Sequence, residues 1–150
     1  MPDGGVNPAD IVEIQQVLAH YGHLLDDRQW HRLGEVFSAD AVADYSSGGV
    51  TRVLDGLDEI ISFLSTASAS SAHHVSNVSV VGTDGVVHAV STFFVPYTRA
   101  EHRPHRWYGG VYRDELRRTP AGWRIQRREV IGQWQLTPNE RDVPERRRTF

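Results

Sequence analysis

Histidine is the side chain in this sequence best suited to moving protons, because its pKa lies close to neutral pH. The chain of 150 residues contains eight histidines and no cysteine, and all 16 of its basic residues are arginine. The absence of cysteine excludes a thiol nucleophile, a thiolate metal site and redox chemistry of the protein itself. The absence of lysine excludes a lysine Schiff base. The composition therefore favours acid–base chemistry by histidine and a carboxylate.

Two adjacent pairs, Asp26-Asp27 and His73-His74, could supply these groups. A carboxylate bonded to one imidazole nitrogen fixes the tautomer and stabilises the imidazolium, so the other nitrogen can move a proton. Asp26 could equally end one helix or cap the next, and Asp27 is typical of a solvated turn. Because the side chains of adjacent residues on a strand point to opposite sides, at most one of His73 and His74 can face a pocket.

Six further side chains are candidates for substrate contact: Tyr21, Tyr45, Asn77, His105, Tyr108 and Arg128. Tyr45 could polarise a substrate oxygen through its hydroxyl, although an aromatic residue at a strand end is also typical of a core. Arg128 could hold an anionic group, compensate Asp26 or lie exposed on its strand. Asn77 could orient a substrate or simply bond its neighbouring strand.

Two histidine pairs have the spacing of metal ligands, namely His20 with His23 and His102 with His105. Neither pair has an evident third ligand from a matching element. We therefore predict that the protein uses no metal and no cofactor, and that both pairs are solvated.

The first elements of the chain are predicted to be helices. Asn7 and Pro8 form a helix start, and apolar residues at three- and four-residue steps continue to about Leu25. Trp30, Leu33 and Phe37 restart this spacing and predict a short second helix that ends before Asp40. A third helix is predicted over residues 57–64.

The remaining segments have the alternation of strands. A short hairpin is predicted from residues 41–45 and 50–54, and a four-stranded antiparallel meander from residues 73–81, 86–98, 105–118 and 123–134. Helices first and long strands afterwards predict an α+β domain in which helices cover one face of a curved sheet.

One domain is predicted over residues 1–137, followed by an arginine-rich tail over residues 138–150 that lacks apolar periodicity. The formal charge of -3 is small and mixed along the chain, which disfavours nucleic acid as a ligand. Neither a signal peptide nor a membrane-spanning run is evident, so the expected location is cytoplasmic.

Five short motifs resemble the SnoaL-like branch of the nuclear transport factor 2 superfamily. They are Leu25-Asp26-Asp27-Arg28-Gln29-Trp30-His31-Arg32-Leu33, Phe37-Ser38-Ala39-Asp40-Ala41, His73-His74-Val75-Ser76-Asn77, Gly110-Val111-Tyr112-Arg113-Asp114-Glu115-Leu116 and Gly122-Trp123-Arg124-Ile125. The resemblance covers residues 11–134. It implies a cone-shaped α+β barrel with three N-terminal helices packed on a curved, mainly antiparallel sheet that encloses a pocket.

Within this superfamily the chain is similar to the scytalone dehydratases and the hexachlorocyclohexane dehydrochlorinases, in which an aspartate after the first helix works with a histidine that opens a strand. The resemblance implies Asp26 and His73 as that pair, with His74 as the reserve, and Tyr45 as the group that activates a water or a carbonyl. The second tyrosine of the dehydratases corresponds to Leu25. Their second histidine has no clear counterpart here.

The predicted function is a cofactor-independent lyase of the dehydratase type, acting on a small cyclic or polyketide-like molecule of secondary metabolism or catabolism. The alternatives are a cyclase or isomerase that uses the same pair, and a ligand-binding or subunit domain without catalysis. An exposed sheet face in this architecture usually pairs with a second copy, so we also predict a homodimer or larger homo-oligomer.

Overall fold

The computed structural model describes residues 5–67, 70–98 and 105–137. Within them lie α1 (Pro8–Asp26), a 3₁₀ helix (Trp30–Glu35), α2 (Leu57–Leu64), β1 (Phe37–Asp44), β2 (Val53–Asp55), β3 (Ser70–Ser71), β4 (His74–Thr83), β5 (Val86–Thr98), β6 (Arg106–Thr119) and β7 (Gly122–Leu136). The predicted α+β class with a cone-shaped, curled sheet is confirmed. The predicted tail and His102 lie outside the described residues.

Helix α1 forms as its sequence predicts. The Asn7 side chain caps the helix by accepting a hydrogen bond from the Asp10 backbone N–H at 2.9 Å. Ile14, Leu18 and Tyr21 recur on one side of the helix and are fully buried, so this face packs on the sheet.

The second predicted helix is shorter than expected. It is a single 3₁₀ segment that ends at Glu35, and Phe37 begins strand β1 instead of continuing the helix. Phe37 lies opposite Ile125 of β7, whose backbone N–H donates to the Val36 carbonyl at 2.8 Å. Pairing with a distant strand therefore overrides the local helical spacing.

The sheet contains the predicted antiparallel meander from β4 to β7. Strand β1 pairs with β7 in parallel, and β2 pairs antiparallel with β1. The strand order is β2-β1-β7-β6-β5-β3, and β4 also pairs with β5. The parallel pairing and the two-residue strand β3 were not predicted. Among the helices described, none is both long enough and apolar enough to cross a membrane.

Leu18 lies on the face of α1 that packs on the sheet and is completely buried. We expect Leu18→Ala to lower the free energy of unfolding by about 2–5 kcal/mol, because it removes apolar contacts and leaves a cavity. The control Val12→Ala lies on the same helix but is 56% exposed, and should change stability by less than about 0.5 kcal/mol. Urea unfolding followed by circular dichroism measures both, and equal effects would contradict this packing.

Candidate active site

The carboxylate of Asp26 is the centre of a group of hydrogen bonds at the end of α1. Its Oδ1 accepts from the Ser71 hydroxyl at 2.9 Å and lies 2.6 Å from Nδ1 of His73. Its Oδ2 accepts from the His73 backbone N–H at 2.8 Å. Asp26 therefore holds both the side chain and the main chain of His73.

His73 lies immediately before strand β4, and its side chain is 13% exposed. With Nδ1 against the carboxylate, the neutral ring carries its proton on Nδ1, and Nε2 is the nitrogen that can accept one. His74 begins the strand itself, is exposed and stacks on Phe94 with ring centroids 5.8 Å apart. The two adjacent histidines thus lie on opposite sides of the chain, as strand geometry requires.

Gly22 allows helix α1 to approach His73 closely. A Cβ atom at this position would lie 3.0 Å from the Cβ of His73 and 3.4 Å from its carbonyl oxygen. Since nearly all real Cβ contacts are longer than this, a larger residue would push the two segments apart. Gly22 and Asp26 lie one helical turn apart, so the same side of α1 both approaches and binds His73.

His73 lines a cavity of about 430 Å³ between the helices and the inner face of the sheet. The described lining is mainly aromatic and aliphatic and contains no Asp, Glu or Arg: Tyr21, Leu25, Trp30, Tyr45, Leu64, Thr66, Ala67, Ser71, His73, Phe93, Val95, Tyr97, Tyr108, Tyr112 and Val130. A lining of this kind favours an uncharged ligand, because an ion would lose its hydration without gaining a partner.

Tyrosine hydroxyls supply much of the polarity of the cavity. The hydroxyls of Tyr21 and Tyr45 are hydrogen-bonded at 3.0 Å. The Tyr21 ring also meets the ring of His73 edge to face, with centroids 6.0 Å apart. The hydroxyl pair and the imidazole therefore lie on neighbouring parts of one cavity wall.

The surroundings of His73 favour its neutral form. Burial lowers its pKa from 6.5, and this outweighs the opposite effect of the hydrogen bond and charge of Asp26, while the positive charge of Arg128 lowers it further. Burial also raises the pKa values of Tyr45 and Tyr112 well above 10.0. The site at neutral pH thus combines a neutral base with protonated hydroxyl donors.

The sequence of residues 8–129 matches the family model described as a SnoaL-like domain. This match spans most of the chain. The protein belongs to the SnoaL-like domain family. A SnoaL-like relative in Mycobacterium tuberculosis (strain ATCC 25618 / H37Rv), an uncharacterized protein, is 33% identical over 122 residues, which is 80% of this chain and 83% of the relative.

Several solved structures share this SnoaL-like fold. A proposed scytalone dehydratase of Novosphingobium aromaticivorans DSM 12444 has a TM-score of 0.77 at 18% identity, covering 87% of this chain and 89% of the other. A hexachlorocyclohexane dehydrochlorinase, LinA type 2, has a TM-score of 0.76 at 15% identity, covering 88% and 90%. ActVI-ORFA of Streptomyces coelicolor has a TM-score of 0.63 at 18% identity, covering 81% and 95%.

The SnoaL-like cavity contains some of the predicted contact residues and not others. Tyr21, Tyr45 and Tyr108 line it. Asn77 is exposed at an irregularity of β4 with a φ of 50°, a left-handed conformation that asparagine tolerates well, and it does not line the cavity. His105 is also exposed and lines a separate groove with Trp107.

Arg128 is buried behind the cavity and does not line it. The structure pairs it with Asp114 rather than with Asp26 or solvent, because a charge inside the sheet needs a close partner. His20, which has metal-ligand spacing to His23 but was predicted to be solvated, lies 2.8 Å from Glu35. In the described part of the chain, no cluster of three or more histidines and carboxylates could hold a metal ion.

Sequence reasoning missed Ser71, Asp114 and the close approach at Gly22. Ser71 lies in a run of small residues that has no distinguishing pattern. Gly22 did carry a signal, since glycine inside a regular helix is unfavourable and indicates a close contact. Asp114 also carried a sequence signal, because this acidic residue shares the inward side of its strand with the buried residues Tyr112 and Leu116.

Gly22→Ala tests whether the helix positions His73. Alanine favours the helix by about 1 kcal/mol, but here its methyl group should displace His73 and lengthen the bond to Asp26. We expect the NMR signals of His73 and their pH titration to change, with little or no gain in stability. Ala19→Gly on the exposed side of the same helix is the control, and should lower stability without changing the His73 signals.

Proposed function

We propose that this protein is a cofactor-independent lyase of the dehydratase type that acts on a small, uncharged cyclic or polyketide-like molecule. SnoaL-like relatives are often lyases or isomerases without a cofactor. The fold and its neighbours suggest activity of the dehydratase or cyclase type. The observation that carries the proposal is the 2.6 Å contact between Asp26 and His73 at the wall of an aromatic cavity.

In the proposed reaction, Nε2 of His73 takes a proton from a carbon next to a substrate carbonyl. Electrons from that C–H bond move toward the carbonyl, whose oxygen gains negative charge and accepts a hydrogen bond from the Tyr45 hydroxyl, while the Tyr45 oxygen accepts from Tyr21. The imidazolium, stabilised by Asp26, then gives its proton to a hydroxyl on the next carbon. The C–O bond breaks, a C=C bond forms and water leaves.

The shape of the site supports elimination on one side of the substrate. One imidazole both removes the proton and returns it, so the C–H and C–O bonds must lie on the same face of the molecule. Phe93 and Tyr112 stack with ring centroids 4.4 Å apart in the cavity wall and contribute to its aromatic lining. The described lining offers no positive group for a phosphate or carboxylate, which supports a neutral substrate.

A cyclase or isomerase would use the same proton transfer without requiring a leaving hydroxyl. The two activities differ in their products, since dehydration lowers the mass of the substrate by one water and isomerisation leaves it unchanged. Mass spectrometry of reactions with cyclic β-hydroxy ketones and their dehydroxy analogues therefore separates them. Turnover of the dehydroxy analogue alone would favour the isomerase.

Asp26→Asn and His73→Gln should each lower turnover by about 10²–10⁴-fold, because they remove the partner of the base and the base itself. The control is His74→Gln, which changes the adjacent histidine that faces away from the cavity. It should leave turnover nearly unchanged. Unchanged turnover in both Asp26→Asn and His73→Gln would contradict the proposed mechanism.

The pH dependence of turnover follows from the neutral form of the base. Because the pKa of His73 is lowered from 6.5, activity should rise with pH through a midpoint below that value and then level off. The residual activity of His73→Gln should not show this rise with pH. Initial rates in buffers of constant ionic strength measure this rise, and a midpoint above 6.5 would contradict the lowered pKa of His73.

We also propose that the protein forms a homodimer through the outer face of the sheet. Trp107 and Trp134, 41% and 42% exposed, both contact Phe94 on that face. Apolar groups of this size on a sheet surface are typical of an interface. Phe94→Arg should shift the mass measured by light scattering from that of a dimer to that of a monomer. Val12→Arg, on the exposed side of α1, should leave the mass unchanged. A monomeric wild type would exclude the dimer.

A further inference from the structure

The charged pair Arg128 and Asp114 lies inside the sheet directly behind the candidate site. The side chain of Arg128 donates from Nε to Oδ1 of Asp114 at 2.7 Å and from Nη2 to Oδ2 at 2.8 Å. Both side chains are fully buried. Apolar residues of similar volume are often as stable as a buried ion pair, so core stability alone does not account for this one.

Two tyrosine rings of the cavity wall enclose the guanidinium. Its central carbon lies 4.3 Å from the ring centroid of Tyr21 and 4.2 Å from that of Tyr112. The two rings are nearly perpendicular to each other, with centroids 5.8 Å apart. The cation therefore fixes the orientation of both rings and places positive charge on the side of them that faces away from the cavity.

The hydroxyl of Tyr21 connects the positive charge of Arg128 with the polar groups of the cavity. It is hydrogen-bonded to the hydroxyl of Tyr45, the residue proposed to bind the substrate oxygen. A positive charge beneath a phenol ring strengthens its hydroxyl as a donor and stabilises negative charge that develops nearby. The same charge disfavours protonation of the His73 ring, which must be neutral to act as a base.

We propose that Arg128 is a positioning residue for this site. Through the rings of Tyr21 and Tyr112 it positions the Tyr21 hydroxyl, whose partner Tyr45 would bind a substrate carbonyl oxygen. It also stabilises the negative charge that this oxygen gains during proton abstraction. The inference rests on the proposed function, and it assigns an enolisable carbonyl compound as the substrate class. Asp114 keeps the guanidinium in place without contact with the substrate.

The electrostatic directions agree with this geometry. The positive charge of Arg128 lowers the pKa of His73, and it opposes the rise that burial causes in the pKa values of Tyr45 and Tyr112. The negative charge of Asp114 adds to the rise in the pKa of Tyr112. His73 also faces Asp26 from α1 and His74 from its own segment. A test must therefore remove the pair of Arg128 and Asp114 while leaving these other groups in place.

The double variant Arg128→Met/Asp114→Leu meets this requirement, because it removes both buried charges and keeps a similar volume. Arg128→Gln/Asp114→Asn replaces the pair by neutral groups of similar shape and serves if the first variant does not fold. The control Arg127→Met removes a charge from the adjacent exposed position of β7. Circular dichroism establishes that each full-length variant is folded.

The probe is 4-nitrophenol, whose phenolate oxygen resembles the enolate oxygen and whose two forms differ in absorbance. From titrations at several pH values, the ratio of phenolate to phenol affinity should be similar in wild type and Arg127→Met and about tenfold lower in the double variant. In NMR titrations, the pKa of His73 should be higher in the double variant than in the wild type.

Agreement of both measurements supports the proposal. It is overturned if a folded double variant keeps either the phenolate-to-phenol affinity ratio or the His73 pKa of the wild type. These outcomes are independent of turnover. A failure of the proposed function would instead appear as unchanged turnover in the Asp26 and His73 variants, with the probe and NMR results unaffected.

Discussion

The carboxylate of Asp26 is the group on which the geometry of the site depends. It ends helix α1 and binds residues 71 and 73, which are 45 and 47 positions further along the chain. Three hydrogen bonds to one charged group, each worth about 1.5–3 kcal/mol, orient the imidazole much more tightly than a single contact would. The position of His73 is therefore a consequence of how α1 lies across the start of β4.

The cavity next to this contact must leave space for a ligand and must also provide hydrogen-bond partners for its buried hydroxyls. Buried hydroxyls need hydrogen-bond partners, yet charged partners in the wall would repel or bind the wrong ligands. Tyr21 and Tyr45 resolve this by bonding each other. The guanidinium of Arg128 lies one layer deeper, where Asp114 holds it in place and the rings of Tyr21 and Tyr112 separate it from the cavity.

Elements that follow from local periodicity were predicted well. The capped helix α1 and the long strands of the meander carry their patterns within a few neighbouring residues, so their positions could be derived from the sequence. The second half of β1 lies within the strand predicted over residues 41–45. The start of β1 could not be derived, because Phe37 continues a helical spacing and becomes a strand residue only by pairing with Ile125. Strand β3 is two residues long and has no pattern of its own.

The choice between His73 and His74 shows a similar limit. Alternation predicts that the two side chains point in opposite directions, but it does not say which points inward. The structure distinguishes them through contacts distant in sequence: Asp26 binds the backbone and ring of His73, and Gly22 leaves room for its Cβ. From sequence, only the resemblance to SnoaL-like proteins favoured His73.

Arg128 and Asp114 show that strand alternation also carries information about buried charges. On β6, Asp114 shares its inward side with Tyr112 and Leu116, and on β7 Arg128 shares its inward side with Val130. A charged residue at an apolar position of one strand is unfavourable, but opposite charges at apolar positions of two adjacent strands can compensate each other. The alternation therefore indicates a buried pair before any register is known. Its meaning for the site depends on the fold, because only the fold places the rings of Tyr21 and Tyr112 over the cation.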